Sequence, residues 1–131
     1  MTQNRPVRFL SVQDVLDIHQ STIDHEGGAN GVRDIGLLEA AVSMPRQAFD
    51  GEYLHGSYAA MAAAYLFHIV QNHPFVDGNK RAGFAAAVVF LYANAIEFDA
   101  EPDDATDITL AVASGSTTKD ELTTWFAQHT R

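Results

Sequence analysis

Between residues 73 and 81, His73, Asp77, Lys80 and Arg81 gather an imidazole, a carboxylate and two cations, with Gly78 and Asn79 among them. An imidazole titrates near neutrality and can serve as general base towards a hydroxyl. A single carboxylate next to a phosphate chain is what Mg2+ commonly takes from a protein. Adjacent cations at the start of a helix suit a polyanion. Together they form a set for phosphoryl or nucleotidyl transfer. Each part also has an ordinary structural use: His-Pro stops helices, Asp-Gly-Asn makes turns, and Lys-Arg sits well on a solvated face. The combination, placed between the two most apolar segments of the chain, is what points to chemistry.

The elements around this stretch must hold it still. Pro74 moves His73 out of the right-handed helical region, so the preceding helix is predicted to end near Asn72. Gly78 permits a tight turn. Asn79, or Asp77, is the expected N-cap of the next helix, leaving free N–H groups from Asn79 to Ala82. Lys80 and Arg81 then stand at the positive end of a helix dipole, where cations are unfavourable unless an anion joins them. Phe75, the one motif side chain without polar chemistry, is expected to plug the core. Gly83 is expected to let two helices approach closely.

The two flanking segments, "YAAMAAAYLFHIVQN" after a Ser57 cap and "RAGFAAAVVFLYANAIEF", are apolar on nearly all sides, so they belong in the middle of a bundle. Around them, Ser11 and Asp14 resemble a capping box for a helix ended by Gly27-Gly28. Asp34 caps a helix that Pro45 stops. Asp103 or Asp104 starts a shorter helix, and Thr118 with Glu121 caps the last one. Residues 45–57 read as an irregular connection, with a short hairpin or flap carrying Phe49, Tyr53 and Leu54. The expected architecture is all-α, a compact bundle of about six helices in a single domain, 1–131. His68 reads as a hydrogen-bonded core histidine, and Trp125 with Phe126 dock the last helix.

The 131 residues carry a formal net charge of −9, which argues against direct nucleic-acid binding. No apolar run approaches the ~20 residues of a membrane span. With no cysteine there is no disulfide, zinc-thiolate or thiol chemistry. The start "MTQNRPVRFL" lacks a signal-type apolar core, and a cytoplasmic location is expected. The histidines form no H-E-x-x-H pair. "DAEPDDATD", 99–107, reads as an acidic solvated face.

The stretch "HPFVDGNKR" resembles the signature of the Fic/Doc family, H-x-F-x-[DE]-G-N-x-R, matching at His73, Phe75, Asp77, Gly78, Asn79 and Arg81. "FLSVQDVLDIH" and "GVRDIGLLEAAVSMPRQAF" resemble the upstream region of Doc-type, death-on-curing proteins. The resemblance implies an all-α fold in which the signature joins two central helices. In AMP-transferring members the signature continues G-N-G-R-x-x-R. Here Lys80 replaces the second glycine and Phe84 the second arginine, departures typical of Doc-type toxins. That resemblance implies a protein kinase that presents the γ-phosphate of ATP to the base, with elongation factor Tu as the family's known target. His73 would be the base and Asp77 would bind Mg2+. Gly78, Asn79, Lys80 and Arg81 would hold the phosphates, and a flap over residues 46–54 would pair with the target through Phe49, Tyr53 and Leu54. The family resemblance implies a cognate, Phd-like antitoxin as partner; no Fic-type inhibitory motif with a glutamate reaching into the site is evident, so inhibition would come from a separate chain. The alternatives are AMP or other nucleotidyl transfer and a non-catalytic phosphate-binding module.

Overall fold

The structure is a computed structural model that describes residues 6–131. It contains α1 (Val12–Glu26), α2 (Ile35–Ser43), a 3₁₀ turn (Met44–Arg46), β1 (Ala48–Phe49), β2 (Glu52–Tyr53), α3 (Tyr58–Asn72), α4 (Asn79–Ala93), α5 (Pro102–Ser114) and α6 (Lys119–Gln128). The fold is an all-α bundle of six helices, as the sequence predicts. Helix starts follow local side chains. Ser11 and Asp14 close a capping box on α1, Asp34 caps α2, Ser57 caps α3, and Thr118 with Glu121 box α6. Two starts differ from expectation. α5 begins at Pro102 after Glu101, because proline at the first helical position needs no N–H partner. α4 is capped by Gly78 rather than Asn79, a difference with consequences for the site.

α3 and α4 form the centre. Ala62 to Leu66 on α3 and Ala86, Ala87, Phe90 and Leu91 on α4 are fully buried. One hydrophobic cluster joins them to Val15 of α1, Leu38 of α2, Val112 of α5 and Phe126 of α6. The buried Tyr65 hydroxyl accepts the Leu10 N–H at 2.8 Å, tying the segment before α1 to the central helix. Burial pushes this phenol up to about 12, so it stays a neutral hydroxyl. Trp125 packs against Phe84, Phe98 and Phe126, docking α6 on the bundle.

The predicted hairpin is present. Ala48 pairs with Tyr53 and Phe49 with Glu52, antiparallel. Asp50 and Gly51 both have positive φ, 54° and 81°, the arrangement that closes a two-residue hairpin loop. Phe49 is 77% exposed and Leu54 63%, so neither covers the bundle, whereas Tyr53 packs edge-on against Phe9 at 5.4 Å.

Gly83 sets how near α4 comes to α3. A Cβ there would lie 3.1 Å from Val70 Cγ2, 3.2 Å from Leu66 Cδ1 and 3.4 Å from the Leu66 carbonyl oxygen. The carbonyl distance is ordinary contact, but the two side chains are buried and would each have to give by a few tenths of an ångström. Gly83→Ala is therefore expected to destabilise the fold by about 1–2 kcal/mol, despite alanine's better helix propensity. Urea unfolding measures this, and an unchanged or raised midpoint would contradict the packing argument.

Candidate active site

The loop between α3 and α4 begins with an unusual backbone. His73, the C-cap of α3, lies in the left-handed region at φ 50°, ψ 54°, which costs a non-glycine residue about 1–2 kcal/mol. Arg33 holds it there. Its Nε donates to the His73 carbonyl at 2.7 Å and its Nη2 to the Asn72 carbonyl at 3.0 Å. A cation thereby satisfies the negative end of α3. The Arg33 and Asp34 N–H groups both donate to the Pro74 carbonyl, and Val76 N–H donates to Gly31 O. The glycine-rich loop after α1 is thus stitched along the motif.

Asn79 braces the loop from inside. It is 5% exposed. Its Oδ1 accepts the Phe75 N–H at 2.9 Å, and its Nδ2 donates to the Phe75 carbonyl at 3.0 Å and to His73 Nδ1 at 3.1 Å. Phe75 itself is fully buried, as a plug should be. The amide side chain is therefore committed within the protein, and Asn79 offers a phosphate its backbone N–H. The N–H groups of Asn79, Lys80 and Arg81 have no protein acceptor among the described residues, since the first bond of α4 runs from Ala82 N–H to Gly78 O at 2.9 Å. They are an open anion site.

The same bracket fixes the His73 ring. Because the Asn79 amide donates to Nδ1, that nitrogen accepts, and a neutral ring carries its hydrogen on Nε2. Action as a base requires His73 to release Nδ1 from Asn79 or to shift its tautomer. Either route gives up one hydrogen bond worth about 1 kcal/mol.

Asp77 is exposed, with Oδ2 accepting Ala29 N–H at 3.0 Å and Oδ1 accepting its neighbour Gly78 N–H at 2.8 Å. These two N–H groups hold its carboxyl below the ordinary range, with Arg81 and His19 adding to the effect. Each oxygen keeps a further lone pair free, so a hard divalent cation fits here. Among the described residues no three histidines or acids converge, so any such ion would take its other ligands from water and phosphate.

His19 of α1 sits beneath the loop. Its ring stacks on Phe75 at 3.8 Å, 1° from parallel, and its Nε2 donates to the Asp77 carbonyl at 2.7 Å. Helical periodicity in the sequence cannot separate a supporting histidine at position 19 from a packing one. Gly28 likewise marks no more than a helix end in the sequence. At φ 116° it lies against the site, where a Cβ would stand 2.6 Å from Asp77 Oδ2 and 3.0 Å from Arg81 Nη2.

His73, Asp77, Gly78, Asn79 and Lys80 line one cavity of about 300 Å³. Lys80 also lines a neighbouring cavity of about 400 Å³, walled by Arg81 and Phe84 of α4, Thr22 and Glu26 of α1, and Thr106 and Leu110 of α5. Lys80 is exposed and makes no ion pair or hydrogen bond among the described residues. Phe84 packs against Phe98 and Trp125. Phe49, Tyr53 and Leu54 line neither cavity. A glutamate lies in the wall of the second cavity. Glu26 Oε2 lies 3.3 Å from Arg81 Nη1. It is placed there by the last turn of α1, which no spacing rule ties to α4.

The family model for the Fic/DOC family matches residues 9–91. The chain belongs to the Fic/Doc family. It is 38% identical over 108 residues to a protein named toxin Doc from Mycolicibacterium smegmatis, covering 81% of each chain. It is 28% identical over 109 residues to protein kinase doc of Escherichia phage P1, covering 83% of this chain and 85% of that one. The family signature thus occupies a loop closed on both sides, by Arg33 at the end of α3 and by Asn79 at the start of α4.

Two outcomes follow for this Fic/Doc site. Gly28→Ala should displace the Asp77 carboxylate and reduce any Mg2+-dependent activity about tenfold or more, since small misplacements are costly in catalysis. A steady-state assay against the parent protein checks this, and full retained activity would refute it. Glu26→Gln should free Arg81 and tighten binding of inorganic triphosphate to the open turn of α4 by about two- to fivefold, the scale of an exposed ion pair. Titration calorimetry reads this directly, and weaker or equal affinity would show that Glu26 does not compete.

Proposed function

We propose that this Fic/Doc protein is a Doc-type toxin, an ATP-dependent protein kinase that moves the γ-phosphate onto a Ser/Thr hydroxyl of a translation factor, elongation factor Tu, and so arrests translation. The observation that carries the reading is Lys80, an exposed cation on the open first turn of α4, unpaired among the described residues and lining both cavities. A nucleoside triphosphate laid across Lys80 places its terminal phosphate in the polar cavity with His73 and Asp77. The nucleoside then rests in the more apolar neighbour beside Phe84. The names of the two relatives, a toxin and a protein kinase, support the same reading. The AMP-transfer alternative is opposed by residue 84, an aromatic side chain packed on Phe98 and Trp125, which offers no grip on phosphate.

In this reading His73 takes the proton of the target hydroxyl at the ring nitrogen released from its resting bond. The free N–H groups of Asn79, Lys80 and Arg81 neutralise charge on the phosphates as it shifts towards the leaving oxygens. Asp77 would hold Mg2+, which when bound would offset the negative charge of the phosphates. The exposed Phe49 and Leu54 on the hairpin offer a target an apolar contact, and the β1–β2 edge offers strand pairing. A cognate, Phd-like antitoxin would neutralise the protein, and the cytoplasm is where such a target resides. No helix of the described residues is long and apolar enough to cross a membrane.

Purified protein incubated with elongation factor Tu and ATP labelled at the γ-phosphate should transfer label. His73→Ala should reduce the rate by about 10²–10⁴-fold. Label arriving instead from the α-phosphate would establish AMP transfer, and γ-transfer that survives His73→Ala would remove the proposed base.

A further inference from the structure

A second cluster of basic side chains lies apart from the motif loop. Lys119, the first residue of α6, places Nζ 2.9 Å from His68 Nε2 and 3.2 Å from His55 Nε2. His68 belongs to α3, and His55 to the stretch between the hairpin and α3. The Phe67 ring lies 5.7 Å from the same nitrogen. All three basic residues are half-buried. Among the described residues no carboxylate is within ion-pair distance of Lys119.

An ammonium here has two imidazole acceptors and the Phe67 face, but no carboxylate among the described residues. It stands at the positive end of α6, partly out of water and without a counter-ion. Burial holds Lys119 below the ordinary lysine range, opposed only by neighbouring Asp120. Burial, and then the Lys119 charge, push His68 down to about 4 and lower His55 as well. Near neutral pH both imidazoles are therefore uncharged, with an Nε2 lone pair each turned to Nζ. The Met44 carbonyl pulls on His55 without closing a hydrogen bond, and the buried His55 Nδ1 has none. The contact with Lys119 is what orients that ring. An amine with a proton acceptor at hydrogen-bond distance on either side is the arrangement of an activated nucleophile.

We propose that Lys119 is a covalent acylation site, with His68 as proton acceptor and an acyl phosphate as the class of donor. The free amine Nζ attacks the carbonyl carbon, the N–C amide bond forms, and the C–O bond to phosphate breaks. The proton shed by Nζ passes to His68 Nε2 and from there, through water, to the departing phosphate. The acylated nitrogen is uncharged and keeps a single hydrogen, so it can serve only one of the two imidazoles. Modification thus loosens the tie between the base of the hairpin and α6.

The chain supplies its own control, because Lys80 is its one other lysine. The intact folded protein is incubated with acetyl phosphate near neutral pH and mapped by peptide mass spectrometry. Lys119 should acetylate severalfold faster than Lys80, because burial holds its amine below the ordinary lysine range. His68→Gln should slow Lys119 while leaving Lys80 unchanged, and in urea the two lysines should react alike. Equal or slower reaction at Lys119 in the folded wild-type protein overturns the proposal, as does an unaltered Lys119 rate in folded His68→Gln. The wild-type comparison decides on its own if that variant fails to fold.

Discussion

The side-chain amide of Asn79 closes the loop on which the site depends. It gives the buried Phe75 backbone both of its hydrogen bonds and still reaches His73 Nδ1. Without it, a peptide N–H and a carbonyl would be buried beside a fully buried phenylalanine, at about 1–3 kcal/mol for each unsatisfied group. Because Oδ1 must accept from Phe75, the amide has one orientation, and that orientation dictates which nitrogen of His73 is free. A single hydrogen-bond constraint thus joins loop stability to the protonation chemistry of the ring.

The second organising feature is the unequal treatment of two helix ends that meet at the loop. The carbonyl end of α3 is satisfied by Arg33, while the amide end of α4 is left open. Lys80 and Arg81 add positive charge where the dipole is already positive. Glu26 offsets part of it through Arg81, and Asp77 contributes a carboxylate just outside the turn. These charges leave a positive patch on the turn where a polyanion can settle, in a protein of net charge −9.

Much of this was legible in the sequence because it is local. Capping residues declared themselves at Ser11, Asp34, Ser57 and Thr118, since an N-cap acts within three residues of itself. The apolar runs on either side of residues 73–79 marked the central helices, and Pro74 with Gly78 marked the break. What stayed illegible is tertiary. Asn79 has the composition of a cap, yet it lies one position into the helix and turns backwards, because Gly78 takes the cap in a left-handed conformation. His19, Gly28, Arg33 and Glu26 belong to the site through the packing of α1 and its following loop against α4. Their types and spacing would look the same in a helix that packed elsewhere. Lys119 and its two imidazoles come from three separate segments, beyond the reach of any local pattern.

Lys80 is exposed and has neither ion pair nor hydrogen bond among the described residues, while its neighbours Asn79, Ala82 and Gly83 are all buried. A residue in that position contributes little to folding, and surface exchanges of this kind usually alter stability by no more than about 0.5 kcal/mol. The position on which the proposed reaction turns is therefore also among the least constrained by the fold. In evolutionary terms, residue 80 is open to exchange without stabilising changes elsewhere, whereas position 84, packed on Phe98 and Trp125, is not. The framework around it, held by Asn79, Phe75 and Gly83, has no such freedom.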